Sequence, residues 1–277
     1  MRSDRQALSL IPQAITRVLQ ESSIAALATL IAAPQGVGSK LLIDETGART
    51  GTLNDTEIDE AVARHAHAFL ASRAEAKTLR VGEFADVKEE WSGARVLFER
   101  IEPEPHLVIC GAGHVGAALA GLALALGYRT TLIDDRADFL SRERFPDEEI
   151  KLVHAGSGWT AAVKECVGRG RGVSLAVVTR GHNEDEECMR AAIYARPDYL
   201  GLIGSKRRTG IVLERLREAG AEEFLLENVR APIGLDIGAV SPAEVALAIL
   251  AEIVMERRGG TGAPLSAWRR EGMKAEG

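Results

Sequence analysis

From residue 105 onward, short apolar runs alternate with longer segments that carry apolar residues at helical spacing. Leu107–Cys110, Thr130–Ile133, Lys151–Val153, Leu175–Val178 and Tyr199–Ile203 have strand length and read as buried on both faces. Val115–Leu126, Thr160–Val167, Asp185–Tyr194, Arg208–Ala219 and Pro242–Arg257 read as the intervening helices, the last opened by Ser241 as cap with Pro242 and Glu244 behind it. Regular alternation of this kind predicts an α/β fold, a doubly wound parallel sheet with helices on both faces.

The first hundred residues have a different texture. Ser9–Leu19 has helical spacing, Ile24–Ile31 and Lys40–Ile43 read as strands around a turn at Gly36–Gly38, and Thr50–Leu53 continues after a turn at Asp44–Gly47. Ile58–Ser72 reads as a helix and Arg95–Ile101 as a further strand. Glu102-Pro103-Glu104-Pro105 resists helix and favours an extended connection. The expected division is a smaller α+β domain over 1–102, the α/β domain over 103–258, and a flexible, Gly- and charge-rich tail over 259–277.

Composition narrows the function. The 277 residues are 46% hydrophobic and 27% charged, as in ordinary globular proteins. Asp and Glu exceed Lys and Arg by 40 to 34, which disfavours a phosphate-backbone binder. An aromatic content of 4% leaves few platforms for stacked bases. Val115–Gly127 falls short of the roughly 18–20 apolar residues of a membrane span, and MRSDRQALSL lacks the marks of a secretory signal. Cys110, Cys166 and Cys188 form no C-x-x-C pair, so neither a disulfide framework nor a zinc site is expected. The reading is a cytoplasmic protein without nucleic-acid or membrane partners and without a metal held directly by its side chains.

The sharpest chemical signal is Gly111-Ala112-Gly113-His114-Val115-Gly116, which follows a predicted strand and opens a predicted helix. In this Rossmann-like context the first glycine permits the turn, the second lets a phosphate approach the main chain, and the third lets the helix pack closely. The amides at the helix start then face the anion. Asp134 and Asp135 end the next strand, where a carboxylate would bond a ribose diol. Arg136 beside them would suit a 2′-phosphate, so NAD and NADP stay open as cofactors. A doubly wound fold with its nucleotide site lost or repurposed fits the same residues.

Three more loops fall at predicted strand ends. In Thr179-Arg180-Gly181-His182-Asn183-Glu184-Asp185, His182 and Asp185 would be a proton relay if the protein is an oxidoreductase, or else Asn183 or Asp185 caps the helix. Gly204, Ser205, Lys206, Arg207 and Arg208 make either an anion seat or a solvated basic turn. The loop from Ala231 to Gly238 closes over a flat ligand through Gly234 and Gly238, or packs with Asp236 satisfying its backbone donors. His65 and His67, two apart on a helix, cannot face one metal, and His106 and His154 read as surface or turn residues. Cys110 reads as a small buried hydrophobe.

Taken in order, GAGHVG, LIDDR with RFPD, TRGHNEDEE, YLGLIGSKRR and APIGLDIGAVSPAEVALAILAEIV resemble the xanthine dehydrogenase accessory factors, the XdhC/CoxI family, over most of residues 105–258. The stretch ATLIAAPQGVGSKLLIDETGARTGTLNDTEIDEAV looks like the family's other domain in reduced form. Asn54-Asp55-Thr56 stands where longer members carry Gly-Gly-Cys, so no role of that cysteine carries over. The resemblance implies an accessory protein that binds the molybdenum cofactor (molybdopterin), protects it during sulfuration and delivers it to an apo xanthine dehydrogenase-type molybdenum hydroxylase, while an NAD(P)-dependent oxidoreductase and a non-catalytic nucleotide-binding scaffold stay open as alternatives. A cysteine desulfurase is the other implied partner, and pairing into a homodimer fits a two-domain carrier. The molybdopterin phosphate would then lie between the glycine turn and the Ser205–Arg208 turn.

Overall fold

A computed structural model describes residues 2–168 and 170–266, with side chains from residue 10 onward. The chain forms two compact units, the first ending at Pro103 and the second beginning at Glu104. Of the expected tail, residues 267–277 lie outside the described residues.

The first unit contains α1 (Arg2–Gln20), β1 (Ala25–Ala32), β2 (Lys40–Asp44), β3 (Arg49–Thr52), α2 (Thr56–Ala71), β4 (Ala76–Arg80), α3 (Glu89–Ser92) and β5 (Arg95–Ile101). Its antiparallel sheet has the order β3-β2-β1-β5-β4. β1 is buried on both faces. Ala25 and Leu27 face Ile11, Ala14 and Val18 of α1, while Ala26, Ala28 and Leu30 face the cluster built by α2. Asp55 begins α2 by accepting from the amides of Glu57 and Ile58, so Asn54–Thr56 is built as a helix start. β4 was not expected from the sequence. All but one of its residues are exposed, so this edge strand shows no apolar period.

The second unit runs β6 (His106–Cys110), α4 (His114–Ala125), β7 (Arg129–Asp134), β8 (Ile150–His154), α5 (Trp159–Val167), β9 (Val173–Val177), α6 (His182–Ala195), β10 (Tyr199–Leu202), α7 (Lys206–Glu218), α8 (Glu223–Glu227) and α9 (Pro242–Arg258). All pairings are parallel, in the order β10-β9-β6-β7-β8. Beyond β10, Arg230 and Ile233 bond to Leu200 and Leu202, extending this edge by a short parallel segment. Leu107 and Ile109 point into a core shared with α4 and α9, while Val108 and Cys110 point into one shared with α5, α6 and α7. The chain therefore leaves β6 toward one face and β9 toward the other, a topological switch point of the doubly wound kind. No helix among the described residues is long and apolar enough to cross a membrane.

His106 corrects the surface reading. It is 5% exposed, Arg129 donates to Nδ1 at 3.0 Å, and Thr131 Oγ1 lies 2.9 Å from Nε2. Arginine can only donate, so Nδ1 accepts and Nε2–H bonds the threonine. Burial, then the Arg129 charge, lowers its pKa from 6.5 to about 4. Because the folded value lies below the unfolded one, the stability is complete above pH 6.5 and drains away as pH falls toward 4. Denaturant unfolding of the chain between pH 7 and pH 4 is expected to show a loss of about 3 kcal/mol from this group. His106→Gln is expected to flatten that slope.

Candidate functional site

The loops singled out by sequence converge on one edge of the parallel sheet, outside the carboxyl ends of its strands. In strand order the edge presents Asp134–Arg136 after β7, the glycine turn after β6, Val178–Gly181 after β9, Gly204–Arg207 after β10, and Gly234–Gly238 after the added segment. Four strand spacings separate the first of these loops from the last, a span of roughly 19 Å along the sheet edge.

The glycines at its centre have distinct duties. Gly111 has φ +115° and lies against the next loop, so a Cβ there would come 2.6 Å from the Val178 carbonyl oxygen. At residue 116 a Cβ would sit 1.8 Å from the carbonyl oxygen of Gly111, so only glycine lets α4 start this close to β6. Gly113 differs. It caps α4 without any side-chain acceptor, has φ −69°, and a Cβ there would meet nothing within 4 Å. The first-turn amides of α4, which a helix leaves without internal acceptors, thus have no capping side chain, and the side of Gly113 where a Cβ would stand is open, next to an exposed His114.

The carboxylates are placed otherwise than expected. Asp134 is 1% exposed. It accepts from the Ala112 amide at 2.7 Å, the Arg136 amide at 2.9 Å and the Arg136 guanidinium at 2.9 Å through both Nε and Nη2. All its bonding capacity is thus turned inward, and it does not reach a ribose. Burial alone would raise its carboxyl, but the bonds from Arg136 and Ala112 outweigh that and hold it at about 2. Arg136, held by Asp134, also lies 3.5 Å over the Phe139 ring, so it braces the turn rather than waiting for a 2′-phosphate.

Asp185 corrects the proton-relay reading. It is 0% exposed, accepts from Thr179 Oγ1 at 2.5 Å and pairs with Arg208, whose Nε lies 3.0 Å away. A carboxylate buried between a hydroxyl and a guanidinium is held by its partners and not presented to a ligand. Nor does it or Asn183 cap α6, whose N-cap is Gly181 with no side-chain bond. His182 stands exposed at the start of that helix.

Ser205 caps α7 through the Arg208 amide, leaving Lys206 and Arg207 exposed with no carboxylate partner among the described residues. Two strand spacings, about 10 Å, separate this turn from the glycine turn. The α4 amides and the two cations thus stand on either side of the loop that follows β9. In the last loop Asp236 is exposed. The carboxylate that satisfies the loop is Glu252 of α9, which accepts from Gly234 N at 2.8 Å and from Tyr199 Oη. Sequence reasoning missed Glu252, which carries no local signal, and also Arg180. The Arg180 guanidinium meets Asp135 at 2.7 and 2.9 Å.

The three cysteines, far apart in the chain, come together at one core cluster of the second unit. Cys110 and Cys188 are fully buried in the core that Cys166 packs against, and burial pushes the Cys166 and Cys188 thiols up.

These features define a Rossmann-type protein whose switch-point helix begins uncapped and open. Residues 107–253 match the XdhC Rossmann domain, and residues 18–82 match the XdhC and CoxI family. The chain belongs to the XdhC and CoxI family, the accessory factors to which its motifs pointed. It is 31% identical over 229 residues to an uncharacterized Escherichia coli protein, YqeB, covering 81% of this chain and 41% of that one. A probable xanthine dehydrogenase subunit of Bacillus subtilis is 28% identical over 163 residues, 59% of this chain and 46% of its own length. The molybdenum cofactor insertion chaperone PaoD of Escherichia coli is 34% identical over 84 residues, 30% of this chain and 26% of its own. The chain thus spans less than half the length of these curated relatives. The crystal structure of a xanthine dehydrogenase from Bacillus halodurans shares the fold, with a TM-score of 0.64 at 19% identity over 88% of this chain and 65% of that one.

The geometry separates folding from binding at neighbouring glycines. Gly116→Ala is expected to cost more than about 2 kcal/mol, because backbone rather than a movable side chain blocks the new methyl. Gly113→Ala is expected to cost about 1 kcal/mol or less, the difference between Gly and Ala at an N-cap, while narrowing the approach to the amides. Thermal melts of the two variants check the contrast.

Proposed function

We propose that the chain is an accessory factor that holds the molybdenum cofactor by its phosphate end and passes it to a xanthine dehydrogenase-type molybdenum hydroxylase. The observation that carries this reading is the open position at Gly113, at the start of a switch-point helix that no side chain caps. Family membership and the names of the relatives, a molybdenum cofactor insertion chaperone and a probable subunit of xanthine dehydrogenase, supply the cofactor and the client class.

The residues present fit the phosphate end of such a group. The Gly113 and His114 amides would donate to its oxygens as helix-terminal groups, with Gly111 and Gly116 keeping the turn tight behind them. Lys206 and Arg207 would add positive charge from across β9, and His182 stands exposed on the loop between. Gly204 and Ser205 shape the second turn. Gly234 and Asp236, on the outermost loop, would border the far end of an extended ligand. When bound, the group brings the molybdenum centre that the client uses, and the chain's own residues hold and orient it. In this reading Asp134, Asp135 and Arg136 build the edge rather than contact a ribose. Protection of the cofactor during sulfuration, exchange with a cysteine desulfurase, and pairing of two chains belong to the same proposal.

Charge reversal at the two exposed cations tests it. Lys206→Glu with Arg207→Glu leaves the Ser205 cap in place, so folding is expected to persist. Molybdenum and pterin content of the protein purified without oxygen is expected to fall at least several-fold. Unchanged retention in a folded double variant would remove the phosphate assignment.

A further inference from the structure

We infer that Arg180 is the mobile anion-binding residue of the crevice, and that Asp135 stands in for the ligand's oxyanion until a phosphate displaces it. The inference rests on the crevice reading above and adds a residue to it.

β7 and β9 are the two neighbours of β6. Asp135 follows β7 directly, and Arg180 lies just past the end of β9. Their strands are about 10 Å apart across β6. The bidentate bond between them, 2.7 Å from Nη1 to Oδ1 and 2.9 Å from Nη2 to Oδ2, therefore crosses the end of β6, where the chain turns into Gly111–Gly113. A ligand laid along the switch point over the α4 amides meets this bridge.

Three hydrogen-bonded arginine–aspartate pairs stand at the edge among the described residues, and they are not equivalent. The carboxylates of Asp134 and Asp185 are 1% and 0% exposed, so releasing either would strand a buried charge. Asp135 is 28% exposed and Arg180 46%, so this pair opens into water at little cost. A phosphate offers a guanidinium the same two-oxygen edge as a carboxylate, and exchange keeps both hydrogen bonds.

The neighbours suit such an exchange. Arg136 Nε lies 3.9 Å from Asp135 Oδ1, a second guanidinium to which the released carboxylate moves. Glu184 lies 3.2 Å from Arg180 and steadies its aim. With Asp135 in place, the carboxylates around Arg180 repel a weakly held anion. The bridge thus selects for a ligand that also takes the helix amides.

The test uses the full chain, titrated calorimetrically with inorganic pyrophosphate and, separately, inorganic phosphate. Asp135→Asn removes the competing charge and is expected to tighten binding about tenfold. Adding Arg180→Gln to it is expected to abolish the gain, and Arg180→Lys to restore only part, since the fork is lost while the charge stays. Circular dichroism and melting curves establish that each variant is folded. A gain with both ions assigns a terminal phosphate monoester as the ligand group, and a gain with pyrophosphate alone assigns a diphosphate. Unchanged affinity in folded Asp135→Asn, or full affinity in Arg180→Gln, overturns the inference. Cofactor retention that survives such a result leaves the proposed function standing, and loss of cofactor sensitivity to Lys206 and Arg207 reversal removes that function whatever the pyrophosphate result.

Discussion

The carbonyl of Gly111 occupies the space that any side chain at position 116 would need, and the second unit is organised around that contact. It lets α4 begin directly against the end of β6, which fixes where its first amides point. The turn cannot relax away, because the Ala112 amide is bonded to the buried Asp134 at the tip of the neighbouring strand. Asp134 in turn is bonded by Arg136, which stacks on Phe139. Backbone donors held by covalent and buried constraints would lose no conformational freedom on binding the proposed phosphate.

The same edge is rich in carboxylates, and most of them are taken up by partners. Asp134 is consumed by Arg136 and Ala112, Asp185 by Arg208 and Thr179, and Glu252 by Gly234 and Tyr199. Each ties one loop to the body of the sheet. The acids therefore act as rivets. Lys206, Arg207, Asp236 and the Asp135–Arg180 pair keep their charge in contact with solvent.

Much of this was legible in the residues. The buried strands announced themselves as continuous apolar runs, and the helix after Ser241 by its capping box, which the structure shows intact. Neighbouring loops fell at strand ends because parallel topology sends every odd connection to one edge. What escaped were elements and partners without a local period. β4 is an exposed edge strand, α8 is a single short turn, and His106 looks like an isolated polar residue until Thr131 and Arg129 arrive from the adjacent strand. Asp134 and Asp185 had the right residue type for a ligand contact or a proton relay, yet proved to be structural.

Local spacing and residue type determined by themselves that this chain builds a parallel sheet with a glycine turn at its centre, because strand and helix periods and backbone freedom are properties of short segments. Only the tertiary structure decided which charges remain available. Pairing joins residues such as Asp135 and Arg180, 45 positions apart, and whether a carboxylate reaches solvent depends on what the opposite strand brings to it. Burial and partnership are properties of the packed whole, so no window of sequence contains them.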